Sequence, residues 1–424
     1  MKNFKNSGIE WLGEIPEHWE ISKFKYFYRS NMGETILVQD LEEDGFPVYS
    51  ATEDDKFFGK IKNPLNILNI HDFVIPARGN SIGSVKIVKE KSTCTQTTIF
   101  SKKIKKINSY YVYYFLLGNR KNLFEFIQTA IPQITINQVN DNPILLPPLK
   151  EQEQIANFLD EKCEKIQNFI KKKEKLLSLL QEQKQALINE TITKGLDKNV
   201  KLKNSGIEWL GEIPEHWEVR KLKMLFSFGN GLNITKADFI SFGIPCISYG
   251  EIHSKYPCRL DLSVHKLPFV SETYLNDKPQ SLLSKGDFVF ADTSEDIEGS
   301  GNFTYIQSNI PLFAGYHTII LRPKTQIYSL YFSFLFDSIF VRNQIREKVW
   351  GVKVFSITKS ILKEVQCFIP PLKEQEQIAN FLDEKCEKID SLITKIKKQI
   401  ELIKEYKTTL INEAVCGRMD LNKG

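Results

Sequence analysis

The segment PPLKEQEQIANFLDEKCEKI opens at Pro147 and again at Pro370, identical at all 20 positions. An exact internal repeat constrains the fold more than any local propensity does. Each copy starts on a Pro-Pro stop and runs for roughly 40 residues without Gly or Pro, the signature of a capped start and a long helix. Within the first copy the seam positions Leu159, Cys163, Ile166, Ile170, Lys173, Leu177, Leu180, Lys184, Leu187 and Thr191 alternate steps of four and three. The second copy carries Leu382, Cys386, Ile389, Ile393, Ile396, Ile400 and Ile403, then Lys407, Leu410 and Ala414. An apolar stripe with a seven-residue period is a coiled-coil seam, and one helix cannot bury it alone. The chain supplies two such helices, and each is expected to be the other's partner.

A second exact repeat, KNSGIEWLGEIPEHWE, spans Lys5–Glu20 and Lys203–Glu218. The order is therefore short repeat, insert, helix, then short repeat, insert, helix. The inserts, about 21–146 and 219–369, share no extended identity. LINETITKGLD from Leu187 resembles LINEAVCGRMD from Leu410, so the end of one half leads back to the start of the other. This pattern predicts a pseudo-twofold frame with antiparallel helices. The expected segments are 1–146 and 196–369 as heads, with 147–195 and 370–424 as spacer helices.

At 424 residues the chain is long enough for two cores, and 42% hydrophobic with 26% charged residues is ordinary globular usage. The net charge of +5 is a weak pointer to nucleic acid. No apolar run reaches membrane-spanning length and MKNFKNSGIEW lacks a signal-peptide core, so a cytoplasmic protein is expected. The seven Cys are scattered without CxxC spacing and read as buried reduced thiols. Both inserts read as mixed and mainly β. In the first, FPVYSA (Phe46), HDFVIPA (His71), SVKIVKE (Ser84) and TQTTIFSK (Thr95) are short β-branched and aromatic runs. SYYVYYFLLGN (Ser109) reads as a buried helix, followed by an exit from Asn142 to Pro148. The second insert repeats that order through GIPCISYGEI (Gly243), GDFVFADTSED (Gly286), GYHTIILRP (Gly315) and the helical SLYFSFLFDSIFVRNQI (Ser329).

The doubled WLGEIPEHWE and PPLKEQEQIANFLDEK, each pair flanking an unlike insert, resemble the specificity subunit of type I restriction–modification systems over essentially the whole chain. GDFVFADTSED, AGYHTIILRP, the ARGNSIG turn and the segment before LLPPL are similar to that family's target recognition domains. The resemblance implies an α+β fold, with two mainly β recognition domains separated by two long antiparallel coiled-coil helices. It implies a non-catalytic subunit that reads a bipartite site in double-stranded DNA. Two methyltransferase subunits would dock on the helices, and restriction/translocase subunits would join for cleavage. S-adenosylmethionine, ATP and Mg are then expected on those partners, with no cofactor or metal on this chain.

The residues agree on what is missing. There is no GxxxxGK[ST] loop and no HExxH spacing. Asp141-Asn142-Pro143-Ile144 lacks the second Pro and the aromatic of an adenine-methylation motif. Phe228-Gly229-Asn230-Gly231 reads as a turn rather than a cofactor loop. His18 and His216, inside the repeat, read as scaffold. The cluster Asp292–Asp296 reads as a turn with hydrogen-bond acceptors suited to a cytosine amine.

For DNA contact, affinity comes from cations on phosphate and sequence from a few side chains on base edges. In the first insert the candidates are Arg78, Asn80 and Ser81 of the Gly-flexed turn, Gln96, Gln133 and Asn137, with Lys86 and the run from Lys102 for phosphate. In the second they are Lys236, Ser294, His317, Arg322, Lys353 and Ser356. An ordinary capped turn or a solvated lysine face is the alternative for each. A helix over about 373–414 would be roughly 63 Å long, a fixed ruler for the gap between half-sites. Two other classes stay open: a self-sufficient nuclease or methyltransferase, and a coiled-coil adaptor that binds only protein.

Overall fold

The computed structural model describes residues 3–125, 132–207, 211–255, 258–351 and 353–419. The chain forms two compact units. The first comprises residues 1–174 with 396–424, and the second residues 175–395. Both long helices are continuous, Leu149–Lys194 (46 residues) and Leu372–Val415 (44 residues). Each gives its first part to one unit and its last part to the other.

In the first unit an antiparallel four-stranded sheet has the order Tyr28–Met32, Thr98–Lys103, Phe73–Pro76, Lys86–Ile87. Ile99 pairs with Met32 on one side and Ile75 on the other. Phe73–Pro76 is buried at every position, so the sheet is covered on both faces. A smaller sheet, Gly59–Ile61, Phe46–Tyr49, Thr93–Cys94, has one parallel pair. SYYVYYFLLG forms the helix Ser109–Gly118, capped by Asn108, whose side chain accepts from Tyr111 N at 3.0 Å. Its apolar residues run all round because it is buried on most sides.

The second unit repeats the three central strands as Phe226–Asn230, Thr318–Pro323 and Phe288–Ala291. It extends them with Phe303–Ile306 and a parallel Cys258–Leu260. A four-stranded sheet holds Phe269–Val270, Ile244–Ile247, Leu312–Ala314 and Leu282–Leu283. The single helix expected from Ser329 is broken into Ser329–Asp337 and Ile339–Arg346. Ser338 leaves helical geometry (ψ 148), and its hydroxyl accepts from Val341 N at 3.4 Å, so it caps the second piece.

The two exact repeats form one joint in each unit. The N-terminal repeat folds as a hairpin, Phe4–Asn6 with Glu14–Pro16. The buried Trp19 beyond it donates its indole N–H to Glu151 Oε2 (3.0 Å), while His18 Nε2 lies 2.7 Å from Glu151 Oε1. In the second unit Trp217 donates to Glu374 (3.1 Å) and His216 meets its other oxygen (2.8 Å). Gln152 accepts from Asn108 N (2.9 Å) and donates to Pro147 O (2.8 Å). Gln375 does the same with Tyr328 N (3.0 Å) and Pro370 O (2.9 Å). Both glutamines are buried, and the oxygen and nitrogen of each are hydrogen-bonded, as burial of an amide demands.

Within each unit the helix segments run antiparallel. In the second, Lys184 Nζ reaches Asp390 Oδ2 at 2.7 Å, while Gly195, further along, lies against Glu374, further back. In the first, Glu151 at one helix start and Gly417 past the other helix end both meet Trp19. Leu159, Ile166, Ile170, Leu382, Ile389, Ile393, Ile396, Ile400 and Leu410 are buried. Leu177, Leu180, Leu187 and Ile403 are half-buried. Of the seam lysines, Lys184 pairs with Asp390, and Lys173 lies 5.3 Å from the Phe169 ring centre. All seven Cys are free thiols, six of them buried. Among the described residues no helix is long and apolar enough to cross a membrane.

Candidate nucleic-acid interface

Beyond the end of the central strand, three segments meet in the same way in both units. In the first, Ala77 N donates to Thr97 O (3.0 Å) and Ala77 O accepts from Ile134 N (2.9 Å). In the second, Asp292 N donates to His317 O (3.1 Å) and Asp292 O accepts from Ile357 N (2.7 Å). The next residues pair across the mouth, Arg78 with Gln133 and Thr293 with Ser356. A threonine-capped helix follows at once in each case, with Thr135 accepting from Gln138 N and Thr358 from Ile361 N, both at 3.2 Å.

The first mouth is a cavity of ≈ 410 Å³ that brings together Arg78, Gln133 and Asn137 beside Met32 and Thr135. Residues from two segments more than fifty positions apart thus share one opening. Gly79 allows the turn after Arg78 through its positive φ of 77. Asn80 faces a different cavity, of ≈ 550 Å³, with Arg120 and Phe124.

Two predicted contacts, Ser81 of this turn and Lys86 of the strand after it, point inward. Ser81 donates to Ala51 O at 2.7 Å. Lys86 is 2% exposed, and its ammonium donates to Ser50 O (3.1 Å) and Thr52 Oγ1 (2.8 Å). Burial lowers its pKa, and its donors are spent inside the domain, so Lys86 does not fit the phosphate role expected of it. Gln96 is exposed and accepts from Thr35 Oγ1 at 2.9 Å. Lys102 is half-buried over the Phe100 ring, 5.4 Å from its centre.

The second mouth is larger, ≈ 760 Å³, and contains Ser294 and His317. Ser356 lies on the strand that pairs with Thr293–Ser294, and Lys353 is exposed in the turn before it. The other two candidates lie elsewhere. Lys236 sits exposed on a one-turn helix capped by Thr235. Arg322 is committed at a sheet edge, to Asp287 Oδ2 (3.3 Å), Gln280 O (2.8 Å) and Leu282 O (2.5 Å), so it does not fit a DNA-contact role.

The floor of the second mouth is a directed chain that no spacing in the sequence announced. Arg342 Nη1 donates to Asn302 Oδ1 (2.9 Å), and Asn302 Nδ2 lies 3.0 Å from His253 Nδ1. His253 Nε2 lies 2.7 Å from Thr293 O. A guanidinium only donates, which fixes the amide and then the imidazole tautomer. His317 has a left-handed backbone (φ 55), and its Nδ1 lies 3.1 Å from Asp292 Oδ1. Tyr249 stands edge-on to it, ring centres 5.4 Å apart. None of this arrangement resembles a catalytic constellation. Among the described residues no three His, Cys, Asp or Glu converge as metal ligands.

The type I restriction modification DNA specificity domain matches twice, over residues 16–178 and 214–402. The MjaVIII type I specificity subunit of Methanocaldococcus jannaschii is 27% identical over 421 residues, covering 96% of this chain and 94% of that one. The EcoKI specificity subunit of Escherichia coli is 22% identical over 213 residues, covering 49% of this chain and 44% of that one. Among solved structures, a chain from a study of complex assembly and conformational transition of the type I R-M system superposes with a TM-score of 0.71. It is 13% identical, and the match covers 96% of this chain and 99% of that one. Two matched domains, the shared fold and the doubled frame agree: the chain belongs to the type I restriction–modification specificity subunits, the non-catalytic members of those systems.

Proposed function

We propose that the chain reads an interrupted site in double-stranded DNA with its two strand-end mouths, one for each half of the site. The supporting observation is the recurrence of one backbone arrangement, Ala77/Thr97/Ile134 and Asp292/His317/Ile357, dressed with unlike side chains. An adaptor that binds only protein would gain nothing from two different heads on one frame. Phosphate contacts fall to exposed cations near the mouths, Lys353 among them, and the base edges to Arg78, Gln133, Asn137, Ser294, His317 and Ser356. Two methyltransferase subunits dock on the long helices and bring S-adenosylmethionine, while restriction/translocase subunits bring ATP and Mg. The complex works in the cytoplasm, and the gap between half-sites follows the length of the helices.

The test is an exchange of residues 21–146 for the equivalent insert of another specificity subunit. The chain is co-expressed with its methyltransferase, and genomic methylation is mapped at base resolution. The expected result is a motif changed in one half and retained in the other. A motif changed in both halves, or in neither, refutes the division of labour.

A further inference from the structure

The two mouths share a backbone and differ in hydrogen-bonding sign. In the first, Arg78 is exposed, and among the described residues its guanidinium has no hydrogen-bond partner. The side-chain amides of Gln133 and Asn137 stand exposed beside it. The mouth therefore presents an unspent fork of donors flanked by amides. In the second, the guanidinium, amide and imidazole N–H groups of the floor are already engaged. The chain from Arg342 through Asn302 to His253 ends on Thr293 O, and His317 gives its Nδ1–H to Asp292. Acceptors remain there: Nε2 of His317 in its Nδ1–H tautomer, the Asp296 oxygen not taken by Gly299 N, and the buried Ser294 hydroxyl in the cavity wall, which can accept as well as donate.

We propose that the mouths read opposite edges. Arg78 takes the N7/O6 acceptor edge of a guanine in one half-site, with Gln133 or Asn137 on a neighbouring adenine. His317 and Ser294 take an exocyclic amine, cytosine N4 or adenine N6, in the other. Guanidinium on guanine and amide on adenine are the bidentate fits that the major groove allows, and an acceptor discriminates cytosine and adenine by their amines. The inference rests on the base-reading role proposed above and assigns its chemistry.

The experiment uses the full chain with its methyltransferase on duplex oligonucleotides carrying the mapped motif. Each guanine is replaced in turn by 7-deazaguanine, which lacks N7. Each cytosine is replaced by 2-pyrimidinone and each adenine other than the methyl acceptors by purine, which lack the amine. The insert exchange assigns half-sites to units. For the wild type, one 7-deazaguanine in the first unit's half is expected to weaken methylation about 5- to 150-fold, and one deaminated base in the second unit's half likewise. Arg78→Ala should abolish the first sensitivity alone. His317→Gly, which suits the positive φ, or Ser294→Ala should abolish the second alone. Unchanged thermal unfolding shows that the variants fold, and Gln133→Ala gives a second probe of the first mouth. Sensitivities that persist in these variants, or that fall in the opposite halves, overturn the polarity assignment while leaving base reading intact. A wild type that methylates all sequences equally overturns base reading itself, and the assignment with it.

Discussion

Asp160 and Asp383 occupy the same step of the repeated helix, yet the two units use them differently. In the first unit the hydroxyl of the buried Tyr114 donates to Asp160 Oδ1 at 2.6 Å. In the second the equivalent aromatic is Phe334, which has no hydroxyl, and Asp383 pairs with Arg259 instead. The Arg259 guanidinium also lies over the Phe334 ring, 4.7 Å from its centre. One step further into the frame the difference vanishes. Trp19 and Trp217, Gln152 and Gln375, His18 and His216 make matching contacts in both units. Identity is confined to the joint, and divergence begins where the heads touch it. The two heads meet that aspartate with different donors, a phenol in one and a guanidinium in the other.

The largest effect that could break this equivalence lies in the joint. Trp19→Ala and Trp217→Ala each remove a fully buried indole and strand a glutamate partner, at about 3–5 kcal/mol apiece. Urea denaturation of the full chain should show comparable losses for the two, with hydrogen exchange rising in the unit that carries the change. A loss confined to one of them would mean that the identical sequences do not do identical work.

The divergent contact gives a smaller, more diagnostic difference. Tyr114→Phe removes a hydroxyl bond to an exposed carboxylate that water can re-solvate, at about 1 kcal/mol. Arg259→Met removes a partly exposed ion pair and should cost about 0.5–1 kcal/mol. Salt separates them, because an ion pair open to solvent is screened and a neutral hydroxyl donor is less so. Denaturation at low and at high ionic strength should show the Arg259→Met deficit shrinking while the Tyr114→Phe deficit holds. Equal salt dependence would mean that the two junctions are the same in kind.

The joint was legible in the sequence because its Trp, His, Glu and Gln contacts use residues inside the exact repeats. The Pro-Pro stops and the seam period together pointed to the two long helices, Leu149–Lys194 and Leu372–Val415. The heads were legible as strands and helices but not as surfaces. Arg78 and Gln133 are far apart in sequence, and only the strand end brings them together. Lys86 looked like a phosphate ligand because a lysine is usually outside, whereas the loop at Ser50–Thr52 offers it acceptors inside. Arg322 departs from its expected role for the same reason. Its guanidinium is consumed by Asp287 and two carbonyls that no pattern links to it. The break at Ser338 follows from one ψ angle, and the run around it is apolar on both sides. His253, Asn302 and Arg342 were missed outright, since a hydrogen-bond chain has no sequence period.

The smallest expected effect again sets one unit against the other. Lys23 and Lys25 clasp Asp141 in the first unit (3.0 and 2.8 Å), and Lys221 and Lys223 clasp Glu364 in the second. Hydrogen bonds from Lys25 and then Lys23 hold the Asp141 carboxyl below its usual range, and those from Lys221 and Lys223 bring Glu364 down from 4.5 to about 2. A carboxyl depressed in the folded state stabilises above its unfolded pKa and stops doing so as pH falls through its folded one. The stability difference between wild type and Glu364→Gln should therefore be constant at neutral pH, narrow as pH falls below about 4.5, and close near 2. For Asp141→Asn the narrowing should start lower, below 3.8. Both groups are open to solvent, so the differences are small and are best read from acid-unfolding midpoints in low salt. A Glu364→Gln deficit that widened on acidification would show that the clasp works through something other than charge, and that the two units are joined to their frames by different physics.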